Sequence, residues 1–583
     1  PGHRFDASVV GSFVMNLANA LNTAWMWKCR GELQRFHRAT SAVAVTQAAV
    51  LKEIISRNRA TNYGNQHGFS GIRSPRDFQR RVPLSNYDTY AQLIQRIAAG
   101  EPNLLTSEKV QWLEPTSGST RGEKLIPYTR SLRKQFQRAI AAWIADLMHH
   151  RPAVRQGRAY WSISPAFGAG RSTASGIPIG FDDDTAYLGR LERFAARRLL
   201  VVPPAITKLA NIDNFRYCTL LHLLQAGDLS LISVWSPTFL STLLAALDQW
   251  GERICYDLHN GSLSLPFRAN SEVLRQLRPR GGANIRRASQ LESILQSSLS
   301  LSEKLRQVWP QLALISCWTD AAAADYVSEV RRLFPTVEFQ PKGLLATEGC
   351  VSFPLVEQNG AALALRSHFF EFEEVDAVSN DQAESKIYLL AHELSRGRKY
   401  RVIMTTAGGL YRYQLHDVVE VVGFEKQCPL LRFLGKADRT SDLVGEKLSE
   451  PHVRDVLNRA FVAHGISPRF SLVVPVAGQP PHYRLYVQGS ELVGMPDLPS
   501  SMASAVQIGL EENPYYRYAV QLRQLSRLEV CILDASSKPG WLVYERGCLA
   551  RGQKAGDIKP TALDYRTGWA DEFSRAVLST NLE

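Results

Sequence analysis

The stretch from Leu229 to Gln340 constrains the fold more than any other part of the chain. Leu229-Ser-Leu-Ile-Ser-Val-Trp235 is an apolar run of strand length. Ser236-Pro237-Thr238 follows and caps a helix from Phe239 to Trp250, with proline in the first turn, where a missing N–H is harmless. Leu312 to Trp318 is a second apolar strand, Ala321 to Leu333 a second helix, and Val337 to Gln340 a third strand. Strands that alternate with helices of these lengths pair in parallel, because each helix carries the chain back to the same end of the sheet. The predicted class is therefore α/β.

Helices dominate the region before this stretch. Val9 to Trp27 is apolar but is interrupted by Asn16, Asn19 and Asn22 at helical spacing. It reads as an amphipathic helix packed on the body rather than as a signal segment or membrane span. Glu32 to Ser56, Tyr90 to Ala99 and Ser131 to His149 carry helical periodicity, and Tyr160 to Pro165 reads as a strand. Ala166 to Gly180 is rich in Gly and Ser and suits either a pocket-lining loop or a plain surface connection. The composition shifts near Gly435. Beyond it come a helix from Ser449 to His464, strands Phe470–Val476 and Tyr483–Val487, a helix Ala503–Glu512 and a strand Leu528–Leu533. The predicted architecture is thus a large N-terminal domain with mixed or parallel sheets flanked by helices, plus a small α+β C-terminal lid domain. We place the large domain at 1–435, a hinge at 436–445 and the mobile C-terminal domain at 446–583.

Composition narrows the function classes. The 583 residues are 45% hydrophobic and 21% charged, as in a folded globular protein. The net charge of +13 suits an anionic ligand such as a nucleotide, but the basic residues are dispersed and no zinc-finger or RNA-recognition pattern occurs, so no nucleic-acid partner is expected. Eight scattered cysteines without a CxxC pair read as buried free thiols in a reducing, cytoplasmic compartment. No run beyond the N-terminal one approaches the roughly 20 apolar residues of a membrane span.

Four polar stretches carry the chemistry. Thr116-Ser117-Gly118-Ser119-Thr120-Arg121-Gly122-Glu123-Lys124 lies between apolar runs and reads as a strand–loop–strand turn. Its glycines and hydroxyls suit an anion-binding nest, although a generic polar loop has the same composition. It is no Walker loop, since three residues rather than four separate Gly118 from Gly122 and Glu123 precedes the lysine. Gly343-Leu-Leu-Ala-Thr347-Glu348-Gly349 leaves a strand with a carboxylate suited to Mg²⁺ on a nucleotide, or with an ordinary turn acid. In Gly409-Leu-Tyr-Arg-Tyr413-Gln-Leu-His416-Asp417, the acid stands before a strand, where it suits ribose hydroxyls or a strand-edge ion pair. Phe433-Leu-Gly-Lys436-Ala-Asp438-Arg-Thr-Ser-Asp442 suits a hinge.

The order of these stretches resembles that of the adenylate-forming superfamily. More closely, the chain resembles the Gretchen Hagen family of acyl-acid amido synthetases, which has bacterial members. The similarity extends through Asn58–Phe69, Val82–Thr106, Ile232–Pro237 and Asp442-Leu-Val-Gly-Glu-Lys-Leu-Ser-Glu450. The resemblance implies ATP and Mg²⁺ as cofactors, and a small-molecule carboxylic acid and an amine, such as an amino acid, as substrates. It implies nucleotide contacts from Thr116, Ser117, Gly118, Ser119, Thr120, Lys124, Gly343, Leu344, Ala346, Thr347, Glu348, Tyr413, Asp417 and Lys436. Glu348 would hold the metal and act in catalysis with Lys559, which lies in Gly556-Asp-Ile-Lys-Pro560 and would contact the reacting carboxylate. Asp438 and Asp442 would belong to the hinge. Trp161, Phe167 and Trp235 are candidate walls of the acyl pocket. A monomer or weak homodimer is expected.

Two positions depart from the family pattern. His416 stands where glycine is usual, and Lys436 where arginine is usual. The first is uncomfortable if φ is positive there; the second turns a two-pronged ribose contact into a point contact. Three readings remain at this point: an amido synthetase, an acyl-CoA ligase, and a catalytically impaired binder of nucleotide or nucleic acid.

Overall fold

The computed structural model describes residues 17–116, 124–162, 171–180, 198–209, 211–279, 281–320, 323–375, 388–436, 440–489, 492, 497–533, 539–553 and 558–579. The N-terminal amphipathic segment is helix Leu17–Ala39, which packs on helix Arg130–His150. Asn22, one of its interrupting asparagines, is buried, and its amide donates to the carbonyls of Arg155 (3.0 Å) and Gly157 (2.9 Å). The single helix expected over 32–56 is instead two, Leu17–Ala39 and Val43–Arg57. Thr40 breaks it: its hydroxyl donates to His37 O (2.8 Å), a local bond that competes with helix continuation. The helix expected from 239 to 250 also divides, into Pro237–Ala245 and Leu247–Asn260.

Among the described residues, a two-stranded hairpin and two larger sheets build the large part of the molecule. Strands β1 (Trp112–Thr116) and β2 (Lys124–Tyr128) form an antiparallel pair with Thr116 opposite Lys124. Strands β3 (Arg158–Trp161), β4 (Leu229–Ser233), β5 (Leu314–Cys317) and β6 (Glu338–Pro341) form a parallel sheet in that order. This is the parallel α/β unit expected from the strand–helix alternation. Its interior strands, β4 and β5, are buried at every residue, because helices cover both sides.

The second sheet is antiparallel and has seven strands: β7 (Ser352–Pro354), β8 (Ala361–Leu363), β9 (Phe369–Glu374), β10 (Leu389–Leu390), β11 (Lys399–Thr405), β12 (Tyr413–Glu425) and β13 (Cys428–Lys436). Its order is β10-β9-β11-β12-β13-β8-β7. Phe369, Phe370, Phe372, Val402 and Val419 from this sheet join Val50, Ile54, Phe78 and Tyr90 of the N-terminal helices in one apolar core. A short pair, β14 (Thr440–Ser441) with β15 (Leu448–Ser449), follows.

The C-terminal part is centred on β16 (Phe470–Val476), β17 (His482–Gln488) and β18 (Glu529–Leu533). β16 and β17 pair antiparallel, β17 and β18 parallel, with helices Leu498–Leu510 and Pro514–Gln521 making the crossover. Two apolar clusters cover the two faces of this sheet, one around Val473, Leu485, Met502 and Val506, the other around Phe470, Tyr486, Trp541 and Trp569. Helix Glu450–Ala463 begins where expected, but Ser449 makes no side-chain cap bond.

Contacts that join this part to the large one include three that fix its placement. Arg216 and Glu545 form a buried ion pair, Tyr326 packs on Trp541 at 6.0 Å between ring centres, and Arg454 donates to Leu434 O (2.7 Å). All eight cysteines are free thiols, and all but Cys531 are buried. Among the described residues no helix is long and apolar enough to cross a membrane.

Candidate active site

The polar loop between β1 and β2 falls at 117–123, so Ser117, Gly118, Ser119 and Thr120 lie outside the described residues. Its two anchors, Thr116 and Lys124, are paired across the hairpin. The Lys124 ammonium sits 5.6 Å above the Tyr87 ring, and the Tyr87 hydroxyl accepts the Leu125 N–H (2.8 Å). Tyr87 therefore fixes the base of the loop, a role the sequence does not advertise.

Beyond β6 the chain runs directly into a tight turn. Ala346 and Gly349 exchange backbone hydrogen bonds (3.0 and 3.2 Å), so Thr347 and Glu348 are its two central residues. The Tyr128 hydroxyl donates to Thr347 O (2.5 Å) and ties the turn to β2. The glycines on either side are dictated by packing. A Cβ on Gly343 would lie 2.0 Å from Ser352 O, and one on Gly349 would lie 2.3 Å from the Met404 methyl.

Burial pushes the Glu348 carboxyl above the usual carboxylate range, with Lys436 and Lys124 pulling it back and Asp417 pushing further. The Tyr413 phenol lies beside it and is pushed up, by burial first and by this carboxylate second. These four partners bring Lys124, Thr347–Glu348, Tyr413–Asp417 and Lys436 to one place. Asp417 is buried and faces Lys436 across β12 and β13, with 3.6 Å between charges. The sequence places this acid before a strand; it lies inside β12, where the pairing with β13 holds it in register. His416 has φ +61°, so the position does require the left-handed conformation that glycine adopts freely.

The carboxyl edge of the parallel sheet supplies the rest. Such edges are where open α/β sheets bind ligands. Trp235 follows β4, Trp318 follows β5 and Lys342 follows β6. Trp235 and Trp318 pack at 5.5 Å, while Trp161, at the end of β3, meets Trp143 edge-on at 5.5 Å. The Lys342 ammonium lies 5.1 Å from the Trp235 ring and 5.7 Å from Trp143, and donates to Ser233 Oγ (2.7 Å). Lys559 arrives from the C-terminal part and places its ammonium 4.0 Å over Trp318. Phe167 lies outside the described residues.

Asp438 also lies outside the described residues. Asp442 accepts the Gly445 N–H (2.7 Å), and buried Glu446 accepts from Leu443 and Val444 (2.8 Å each). The segment expected as a hinge thus contains a tightly bonded turn. In the sequence Trp143 reads only as a helix-face residue and Trp318 only as the end of an apolar strand, and Lys342 has no marked role. The signal that could have found the last two is their position one or two residues past an apolar strand. Among the described residues no group of three or more His, Cys, Asp or Glu could hold a metal.

Residues 32–339 match the GH3 family N-terminal domain, and residues 361–436 match the GH3 family central domain. This chain belongs to the GH3 family. Curated relatives include a probable indole-3-acetic acid-amido synthetase of Oryza sativa subsp. japonica, 26% identical over 71% of this chain and 72% of its own length. Another, from Arabidopsis thaliana, is named an indole-3-acetic acid-amido synthetase and is 27% identical over 77% of this chain and 78% of its own. Among solved structures, a GH3.15 acyl acid amido synthetase superposes with a TM-score of 0.77, covering 93% of this chain and 95% of that one at 21% identity. The same enzyme in complex with 2,4-DB gives 0.78 over 94% and 96%. The mixed α/β architecture of this GH3 chain, with its C-terminal β-containing unit, is therefore the fold of that enzyme.

Proposed function

We propose that this protein is an ATP-dependent acyl acid amido synthetase that joins a small-molecule carboxylic acid to an amine, such as the amine of an amino acid. The observation that carries the reading is the convergence of Lys124, Glu348, Tyr413, Asp417 and Lys436 beside the carboxyl edge of a parallel sheet that Lys559 reaches from the C-terminal part.

The acid's carboxylate oxygen attacks the α-phosphorus of ATP, pyrophosphate leaves, and an acyl-adenylate forms. The amine nitrogen then attacks the acyl carbon, AMP leaves, and the amide results. Asp417 holds the ribose hydroxyls, Lys436 adds a point charge, and the hydroxyl-rich loop after Thr116 takes the phosphates. Lys559 orients the carboxylate against the α-phosphate, where positioning and electrostatics supply most of the rate. The half-buried Glu348 carboxylate, with Asp417 nearby, fits Mg²⁺, which binds through one or two protein carboxylates plus phosphate oxygens; Glu348 would hold it, and the ion would neutralise phosphate charge. The C-terminal part, hinged over 436–445, turns after the first step and takes Lys559 away so that the amine can enter. The closed first state excludes water from the adenylate.

The test is ATP–pyrophosphate exchange across a panel of acids that includes indole-3-acetate, followed by an acceptor screen read by mass spectrometry. Acid-dependent exchange with amide as product is the expected result. Thioester formation with coenzyme A in place of amide overturns the acceptor assignment, and absence of exchange with every acid overturns the reading as a whole.

A further inference from the structure

Lysine is among the residues least often buried, and a buried charge is ordinarily paired with its opposite. Lys342 breaks this rule. Its ammonium is walled by Trp143 and Trp235, and Ser233 Oγ accepts one of its three N–H bonds. Among the described residues no carboxylate neutralises it and no second acceptor meets it. Protein surrounds the side chain densely, yet the residue keeps some contact with solvent. Burial lowers the lysine to about 8. The titratable group facing it is Cys317 on β5, whose thiol burial pushes up to about 11, so it stays neutral at physiological pH.

The placement has a direction. Trp235 and Trp318 stand side by side at the sheet edge. Lys559 caps Trp318, and Lys342 lies against Trp235. Two ammonium groups thus bracket an indole pair, one delivered by the C-terminal part and one built into the end of β6. A bare aromatic or aliphatic acid has a partner only for the first.

Building on the acyl-adenylating role proposed above, we propose that Lys342 sets the class of acid: it donates to a second oxygen, a phenol hydroxyl or a carboxylate, carried at the end of the substrate remote from the carboxylate being activated. The indoles of Trp143 and Trp235 flank the intervening hydrocarbon or ring. The alternative is that Lys342 only packs against its tryptophans, and the two make different predictions.

The experiment is pyrophosphate exchange with matched acids: phenylacetate against 4-hydroxyphenylacetate and 4-carboxyphenylacetate, and heptanoate against pimelate. The wild-type protein is expected to favour an oxygen-bearing member by at least tenfold in kcat/KM, and the arm that wins separates phenol from carboxylate. In Lys342→Met that preference drops at least tenfold, through KM rather than kcat, and Lys342→Arg restores part of it. For the favoured acid, wild-type kcat/KM falls as pH rises through about 8, because the free ammonium loses its proton there; Lys342→Met loses this limb. Equal use of bare and oxygen-bearing acids by the wild type, or an equal loss on both in Lys342→Met, overturns the proposal while leaving the amido synthetase reading standing. Absence of exchange with every acid overturns that parent reading instead.

Discussion

At the scale of single residues, Glu348 sets function against stability. Its carboxyl is raised by burial, so above that raised value the folded protein carries a costly ionised group that the unfolded chain keeps in water. Glu348→Gln is expected to stabilise the ligand-free protein by on the order of 1 kcal/mol at neutral pH. The gain grows as pH rises from the ordinary glutamate value to the raised one, is level above that, and vanishes below about pH 4, where both states are protonated. Thermal unfolding across pH checks this, and the same variant should lose at least 100-fold in pyrophosphate exchange. A flat difference across pH would mean that the carboxyl is already neutralised by Lys436. His416 makes a second case. At φ +61° a β-branched side chain is strained and glycine is not. His416→Val should cost about 1–2 kcal/mol in urea unfolding, whereas His416→Gly should stay within about 0.5 kcal/mol, since backbone relief offsets the entropy of an added glycine.

At the scale of elements, the turn carrying Thr347 and Glu348 is held by close backbone packing. A methyl on Gly343 would meet the Ser352 carbonyl oxygen at 2.0 Å, and backbone cannot swing aside. Gly343→Ala is expected to destabilise by roughly 3 kcal/mol or more, with ATP affinity lost in step because the turn shifts. Gly349→Ala should cost less, as the Met404 methyl it meets is the end of a flexible side chain. Equal tolerance of both changes by equilibrium unfolding would refute the packing account. Elements also mark how much the sequence discloses. The parallel unit is legible because Ser236-Pro237 and the apolar runs of β4 and β5 punctuate it clearly. The antiparallel sheet is not, because β7 and β8 have three residues each, too few to display a period of two, and because β12 carries register shifts that break alternation. The site divides in the same way. Thr347-Glu348 and Asp417 stand in a recognisable order, whereas Tyr87, Trp318 and Lys342 acquire meaning only when three strand ends and a distant tail segment meet.

At the scale of the whole molecule, the buried Arg216–Glu545 pair and the Tyr326–Trp541 contact fasten the C-terminal part in the arrangement that puts Lys559 at the sheet edge. Two variants separate chemistry from posture. Lys559→Ala should slow pyrophosphate exchange at least 100-fold while leaving transfer from a synthetic acyl-adenylate to the amine within a few-fold. Glu545→Gln, which removes the charge that pairs with Arg216 and leaves the longer contact with Asp213 at 3.8 Å, should slow exchange about tenfold and leave transfer unimpaired. An equal effect of Glu545→Gln on both half-reactions would remove the latch from the account. The ammonium seated 4.0 Å over Trp318 has a further, optical consequence. A cation on an indole face shifts its emission and shields it from dissolved quenchers. When Lys559 departs, that face opens to water and iodide can reach it. The difference between the wild-type protein and Trp318→Phe, followed by stopped-flow quenching, would turn a single tryptophan into a clock for the step between the two half-reactions, with no label on any substrate.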